Sequence, residues 1–183
     1  MKKQIVVLFA AVIILFQFSS CEKVLAAIFG GVDVTVPDIQ ITIPVVTGVS
    51  PTEVPLGSFS YAFNLDSIIR AKTAGSFGAN DVASVKLNQV TINITNADPL
   101  NNLANFESVR VSIQSNTNST PVDIFSASFA DVYASVYTST PASSPQLLSY
   151  IKGSSISYIV YGKNRRITTK PLTVTFSVII RTS

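Results

Sequence analysis

The strict alternation of apolar and polar residues near the end of the chain limits the fold more than any other feature. Leu172, Val174, Phe176, Val178 and Ile180 are separated by single residues, mostly Thr or Ser. All five therefore point to one face of an extended strand. An α-helix has a period of 3.6 residues and would scatter them around its axis. The segment predicts a β-strand with one buried face.

Shorter runs of the same period recur through the chain, with Pro and Gly between them. They fall at residues 32–36, 39–45, 59–65, 85–94, 109–113, 122–130 and 156–160. About seven strands at this spacing predict an all-β protein, an antiparallel two-sheet sandwich. Immunoglobulin-like topology is favoured, with a jelly roll as the alternative. Short helices are expected at residues 66–70 and 145–151.

Two strands carry local irregularities that sharpen the prediction. In residues 85–94 the apolar positions change from odd to even numbers, which requires a β-bulge near Asn88-Gln89. Pro37 has no N–H to donate, so residues 32–45 are expected to form an edge strand. Residues 132–137 are expected to pair only weakly.

The first 20 residues have a different character. Lys2 and Lys3 precede an unbroken apolar run of 12 residues, Ile5 to Phe16, and small Ser19 and Ser20 follow. This order is that of a secretory signal peptide. A membrane-spanning helix needs about 20 apolar residues, so a permanent span is not expected.

Cys21, the only cysteine in the chain, follows directly. It is either an unmodified thiol near an ordinary cleavage site or a modified one. The stretch Phe18-Ser19-Ser20-Cys21 resembles the lipobox of bacterial lipoproteins, although Phe18 replaces the usual aliphatic residue. That resemblance implies a diacylglycerol thioether on Cys21 and cleavage just before it. Glu22, which is not Asp, implies the outer membrane of a Gram-negative bacterium. A thiolate suits this chemistry, and several acyl chains give stable anchoring.

Processing at Cys21 would divide the chain into three parts. These are a signal peptide (1–20), a lipidated tether (21–31) and a β-sandwich domain (32–183). The mature 163 residues suffice for one domain with a sizeable core. Loss of Lys2 and Lys3 leaves 11 basic and 10 acidic residues, a net charge of +1. Nucleic acid is therefore not an expected partner.

Composition also limits the chemistry. The chain has no histidine, and lipidation would remove its one thiol. The commonest general base, the commonest metal ligand and the thiolate nucleophile are then all missing. We expect no enzyme, no cofactor and no metal site. Asn96, Asp98, Asn101 and Asn102 supply oxygen atoms as a calcium loop does, but they are also ordinary turn residues, which is the favoured interpretation.

Two groups of residues are candidates for binding. Lys163, Arg165, Arg166 and Lys170 form a basic run that either contacts an anionic partner or is a solvated hairpin connection, the second being favoured. The six tyrosines, among which are Tyr133, Tyr137, Tyr150, Tyr158 and Tyr161, either stack on carbohydrate or, for the most part, pack inside the domain.

The expected function is that of a lipid-anchored cell-envelope protein acting as a binding or structural module. Its partners would be the membrane, through the lipid on Cys21, and an envelope protein or a glycan. The alternative is a lipoprotein that binds a glycan or a small hydrophobic ligand. A histidine-free hydrolase is the least favoured hypothesis.

Overall fold

The computed structural model describes residues 31–183. The predicted signal peptide, Cys21 and nearly all of the predicted tether lie outside these residues. Within them, eight strands and two short helices follow one another along the chain. They are β1 (Val32–Ile43), β2 (Val54–Ala62), α1 (Leu65–Lys72), β3 (Val85–Ile94), β4 (Phe106–Ser115), β5 (Val122–Ser128), β6 (Val136–Ser139), α2 (Leu148–Ile151), β7 (Ser155–Asn164) and β8 (Leu172–Thr182).

The strands form two four-stranded antiparallel sheets, which confirms the predicted sandwich. Sheet A has the order β1-β8-β3-β6, and sheet B has the order β2-β7-β4-β5. An eight-stranded double sheet of this order is a jelly roll. The preference for immunoglobulin-like topology was wrong, and the alternative is correct. In the immunoglobulin order several consecutive strands lie side by side, whereas here only β4 and β5 do, because nearly every connection crosses between the sheets.

The core lies between the two sheets and is built by the alternation in the sequence. Every second residue of β8, from Leu172 to Thr182, is buried, and β7 alternates in the same way. Phe59 and Tyr158 are cross-strand partners whose rings stack at 5.0 Å, and Phe176 of the opposite sheet lies 6.5 Å from Phe59. Aromatic contacts of this kind add to the burial of apolar area that stabilises the sandwich.

The predicted bulge is confirmed. The register between β3 and β8 shifts between Leu87 and Gln89, so the apolar residues on both sides of the shift face the core. β1 is an edge strand, as Pro37 predicts, and it contains a second shift between Val36 and Ile39. Its buried positions change from even to odd numbers at that point, for the same reason as in β3.

Both expected helices are present, with different details. The cap of α1 is Asn64, whose Oδ1 accepts a hydrogen bond from the Ser67 N–H at 2.9 Å. Asp66, in the first turn of α1, pairs with Arg70 one turn later. The strand expected at residues 132–137 begins only at Val136, because residues 129–135 form the connection from sheet B to sheet A.

The sandwich has two ends with different contents. We call the end where β1 begins the bottom, and the end where β1 finishes the top. The register places the connections 44–53, 95–105, 129–135 and 165–171 at the top. The connections 63–84, 116–121 and 140–154, which include both helices, lie at the bottom. β1 alone spans about 36 Å between the two ends at ~3.3 Å per residue.

Candidate binding groove

A groove of about 380 Å³ opens at the top of the sandwich, beside the connection between β5 and β6. We call it the top groove. Its lining residues are Leu103, Ser128, Phe129, Ala130, Val132, Tyr133, Ala134, Val136 and Tyr137. β5 and β6 are edge strands of opposite sheets, so the groove lies where the two sheets leave the sandwich open. Its volume falls within the range of small-ligand sites.

The floor and the rim of the top groove differ in exposure. Phe129 and Tyr137 meet edge to face, with ring centroids 5.2 Å apart, and Phe129 is only 7% exposed. Val132, Tyr133 and Val136 are 69%, 55% and 51% exposed. An apolar side chain on its own at the surface is ordinary, but three of them beside an aromatic floor form a continuous apolar surface.

Backbone hydrogen bonds hold the connection on both sides of its tip. Phe129 N–H donates to the Glu107 carbonyl at 2.9 Å. The Ala134 carbonyl accepts from the Leu103 N–H, and the Ser135 carbonyl accepts from the Ile94 N–H, each at 2.8 Å. The connection is therefore held on both sides of the exposed Val132-Tyr133 tip, which limits how far the tip can move and lowers the conformational cost of binding.

Two members of the predicted basic run lie directly beside the groove. The Arg165 guanidinium donates to the carbonyls of Ala104 (3.2 Å), Phe106 (3.4 Å) and Phe129 (3.2 Å), so it joins three parts of the top. Arg166 forms an ion pair with Asp131 of the groove connection. Both partners of that pair are about half exposed, which leaves polar atoms available at the groove rim.

The other two basic residues point elsewhere and are also paired. Lys163 contacts Glu107 at 2.9 Å, and Lys170 contacts Asp98 at 2.6 Å. Arg165 also lies 3.8 Å from Asp131. Each cation of the run therefore has an acidic neighbour, so the run does not form a continuous positive surface.

A network of asparagines supports the top from inside. Asn101, Asn102 and Asn105 are 1–2% exposed. The Asn105 side chain accepts from the Asn102 N–H and donates to the carbonyls of Leu100 and Ile167. Asn105 thereby joins the connection 95–105 to the connection 165–171 through the Ile167 carbonyl. Every polar atom of this buried side chain has a partner.

The candidate calcium loop belongs to this network. Asp98 accepts hydrogen bonds from Lys170 and Asn101, and these contacts lower its pKa to about 2. Asn101 Oδ1 accepts from the Thr169 N–H at 2.8 Å. The amide oxygens are thus engaged by N–H donors, as the turn interpretation expects. Residues 31–183 contain no group of three or more His, Cys, Asp or Glu side chains that could hold a metal ion.

The five tyrosines named from the sequence lie in three environments. Tyr150 and Tyr158 are buried in the core, and burial raises the pKa of Tyr158. Tyr161 lies on the outer face of sheet B, where the Arg110 guanidinium sits 4.1 Å from its ring centroid. Tyr133 and Tyr137 line the top groove. The structure therefore brings two of the tyrosines named from the sequence into one site.

Arg110 also centres a polar cluster that the sequence did not reveal. It contacts Glu53 at 2.8 Å and Asp123 at 2.7 Å, and Ser112 Oγ donates to Asp123 at 2.5 Å. The Ser112 hydrogen bond and Arg110 lower the pKa of Asp123. A carboxylate held ionised in this way is a weak base, so it is poorly suited to deprotonate Ser112.

Sequence reasoning missed Val132 and Val136 as groove residues, and Asp131 as the partner of Arg166 beside the groove. They lie in a seven-residue connection and at the start of a four-residue strand, where no clean alternation separates buried from exposed positions. Adjacent bulky residues in a connection, Val132-Tyr133, were the one available signal.

Comparisons with known proteins give fold-level similarity alone. No family model and no curated protein matches this chain. Among solved structures, the family 32 carbohydrate-binding module of C. perfringens NanJ in complex with galactose shares 9% identity, with 81% of this chain and 99% of that chain covered and a TM-score of 0.38.

Two viral proteins are similar at the same level. The decameric BFDV capsid protein shares 8% identity over 84% of this chain and 98% of its own, with a TM-score of 0.33. The Israeli acute paralysis virus particle shares 13% identity over 87% and 74%, with a TM-score of 0.31. At this level the matches carry no information on function. Within residues 31–183, neither helix is long and apolar enough to cross a bilayer.

Proposed function

We propose that this chain is a lipid-anchored cell-envelope protein that binds a glycan in the top groove. The observation that carries the proposal is the exposed Tyr133 ring, which lines the groove together with an apolar floor and lies two residues along the chain from Asp131 of the half-exposed ion pair. A sugar ring has an apolar C–H face and hydroxyl groups around its edge. Tyr133 matches the face, and Asp131 and Arg166 supply acceptors and donors for the hydroxyls.

The shape of the groove favours a glycan over a small hydrophobic ligand. An apolar ligand needs a pocket that removes most of its surface from water. Val132, Tyr133 and Val136 are each more than half exposed, so the groove leaves one side of any ligand in solvent. A glycan tolerates that exposure because its outer hydroxyls stay hydrated.

The same exposed side chains make an envelope protein the second candidate partner. Val132 at 69% and Val136 at 51% exposure would be covered by a protein surface more completely than by one sugar ring. Binding as such is favoured over catalysis, since the chain has no histidine and Asp123 is held as a weak base.

The glycan proposal is tested by screening the protein against an array of cell-envelope and host glycans, followed by calorimetry. Tyr133→Ala is expected to weaken binding at least tenfold, about 1.4 kcal/mol, as for an aromatic contact at the centre of a site. Leu100→Ala is the matched control, because Leu100 is an exposed apolar residue of the top outside the groove.

An unchanged affinity in Tyr133→Ala contradicts the groove as the site. If no glycan binds and Tyr133→Ala instead abolishes cross-linking to one envelope protein, the second candidate is correct.

The anchoring part of the proposal is supported by Phe18-Ser19-Ser20-Cys21 and the preceding apolar run. A Cys21→Ser variant is expected to lose lipid labelling and to leave the membrane fraction. If Cys21→Ser stays with the membranes to the same extent, lipid anchoring at Cys21 is wrong. Fractionation of inner and outer membranes tests the outer-membrane location that Glu22 implies.

A further inference from the structure

The bottom of the sandwich carries lysines without acidic partners. Lys72 at the end of α1, Lys86 at the start of β3 and Lys152 just after α2 are all exposed. Within residues 31–183 none of the three forms an ion pair or a side-chain hydrogen bond. The top differs in this respect, because every cation of its basic run has an acidic neighbour.

The acids at the bottom are already engaged. Asp33 pairs with Arg181 at 3.2 Å, and Asp66 pairs with Arg70 at 2.7 Å. Asp81 accepts from the Gly78 N–H at 2.7 Å. Arg70 and Arg181 are thus paired with these acids, and Lys72, Lys86 and Lys152 remain without an acidic partner among the described residues of the bottom.

The chain also enters the domain at the bottom. Gly31 precedes β1 with φ of +78°, and a Cβ there would lie 2.7 Å from the Thr182 carbonyl oxygen. Ten residue steps separate Cys21 from Gly31, which is at most about 35 Å of fully extended chain. A lipid on Cys21 would therefore keep the bottom within that distance of the bilayer, and the chain is long enough to allow direct contact.

We propose that the bottom of the sandwich is an interaction surface for anionic phospholipid headgroups, and that it holds the domain upright with the top groove facing away from the bilayer. This inference rests on the proposed anchoring at Cys21. Lys72, Lys86 and Lys152 supply the attraction, which acts within a Debye length of about 8–10 Å. Each lysine near the surface strengthens docking by up to about fivefold.

The chain has no tryptophan, which allows a direct measurement. A single tryptophan is introduced at the bottom (Asn80→Trp) or at the top (Leu100→Trp), both at exposed positions. The lipidated protein is placed in phosphatidylcholine vesicles with or without phosphatidylglycerol, and energy transfer to a dansyl headgroup is recorded. Transfer from the Asn80→Trp reporter is expected to rise in the anionic vesicles and to fall at high salt.

Charge variants locate the effect. Joint substitution of Lys72, Lys86 and Lys152 by Gln is expected to remove the gain in the anionic vesicles. The matched control replaces Lys163, Arg166 and Lys170 by Gln, which removes the same charge at the top, and it should leave the gain intact. Circular dichroism verifies that both variants are folded.

Equal transfer in neutral and anionic vesicles, or an unchanged gain in the bottom variant, overturns the inference. Equal gains from the Asn80→Trp and Leu100→Trp reporters overturn the upright orientation. If the protein is isolated without lipid, the anchoring proposal fails, and its free Cys21 thiol is coupled to a maleimide phospholipid so that the same comparison still decides the role of the lysines.

Discussion

Asn105→Asp is the sharpest test of how the top groove is supported. The substitution keeps the size of the side chain and the acceptor for the Asn102 N–H, but it removes the NH₂ group. That group lies 3.0 Å from the Leu100 carbonyl and 2.7 Å from the Ile167 carbonyl, in a side chain that is 2% exposed. The variant therefore places a carboxylate oxygen against two carbonyl oxygens.

The expected cost follows from those two contacts. An orphaned buried polar group costs about 1–3 kcal/mol, and the adjacent negative charge adds to it, so the free energy of unfolding should fall by about 3–5 kcal/mol. For a chain of this size that corresponds to a drop in Tm of about 10 °C. Urea unfolding and calorimetry measure both quantities. Asn80→Asp, at an exposed position, is the control and should change stability by less than about 0.5 kcal/mol.

The pH dependence adds a second readout. The contacts with two carbonyls raise the pKa of the introduced carboxyl in the folded state, so its destabilisation is largest at neutral pH and shrinks as the pH falls and the group protonates. An Asn105→Asp protein that unfolds within about 1 kcal/mol of the natural chain at neutral pH, as the Asn80→Asp control does, would refute the role assigned to this side chain.

Two further predictions concern charge and packing. The folded-state pKa of Asp98 is lowered to about 2 by Lys170 and Asn101, so its contribution to stability is complete above its ordinary value of 3.8 and is lost as the pH falls towards 2. Asp98→Asn should therefore lower Tm at pH 6 and progressively less towards pH 2, and an equal deficit at both pH values would contradict this. Leu172→Ala removes a side chain with 0% exposure and should cost about 2–5 kcal/mol in urea unfolding, whereas Leu100→Ala, at 66% exposure, should cost little; similar losses in the two variants would argue against the described core.

The sequence predicts the strands well where burial leaves a regular mark. β8 alternates without interruption. The bulge after Leu87 can be derived because a strand of a sandwich must keep its apolar side chains on the face that packs against the other sheet. The same logic applies to β1, where the buried positions change parity across Pro37-Asp38, although the prediction for that segment was an edge strand without a bulge. In both strands the local pattern alone requires the irregularity.

No local pattern in the sequence indicates which strands are neighbours in a sheet. Val32 pairs with Thr182, a separation of 150 residues, and an inward-facing valine looks the same in a jelly roll and in an immunoglobulin-like sandwich. The choice between them depends on which edges meet, and that is decided by the whole set of connections. For this reason the class could be predicted from the sequence and the topology could not.

For the candidate site as well, residue types could be predicted from the sequence but their spatial arrangement could not. The tyrosines and the basic run could be named from the sequence, but their meeting beside the β5–β6 connection could not. Arg166 finds Asp131 across 35 residues, and Arg165 finds the Phe129 carbonyl across 36. Such contacts are created by the fold, so neither partner carries a local signal of the other.

The central position of β8 in sheet A has a consequence for how the domain is made. β8 lies between β1 and β3, and its 11 residues follow all the other strands along the chain. While these residues are still being synthesised, β1 has no partner in its sheet and β3 has only β6. The sandwich thus cannot close before its final strand has emerged, and a chain released early, without β8, would expose two unpaired strand edges to other molecules.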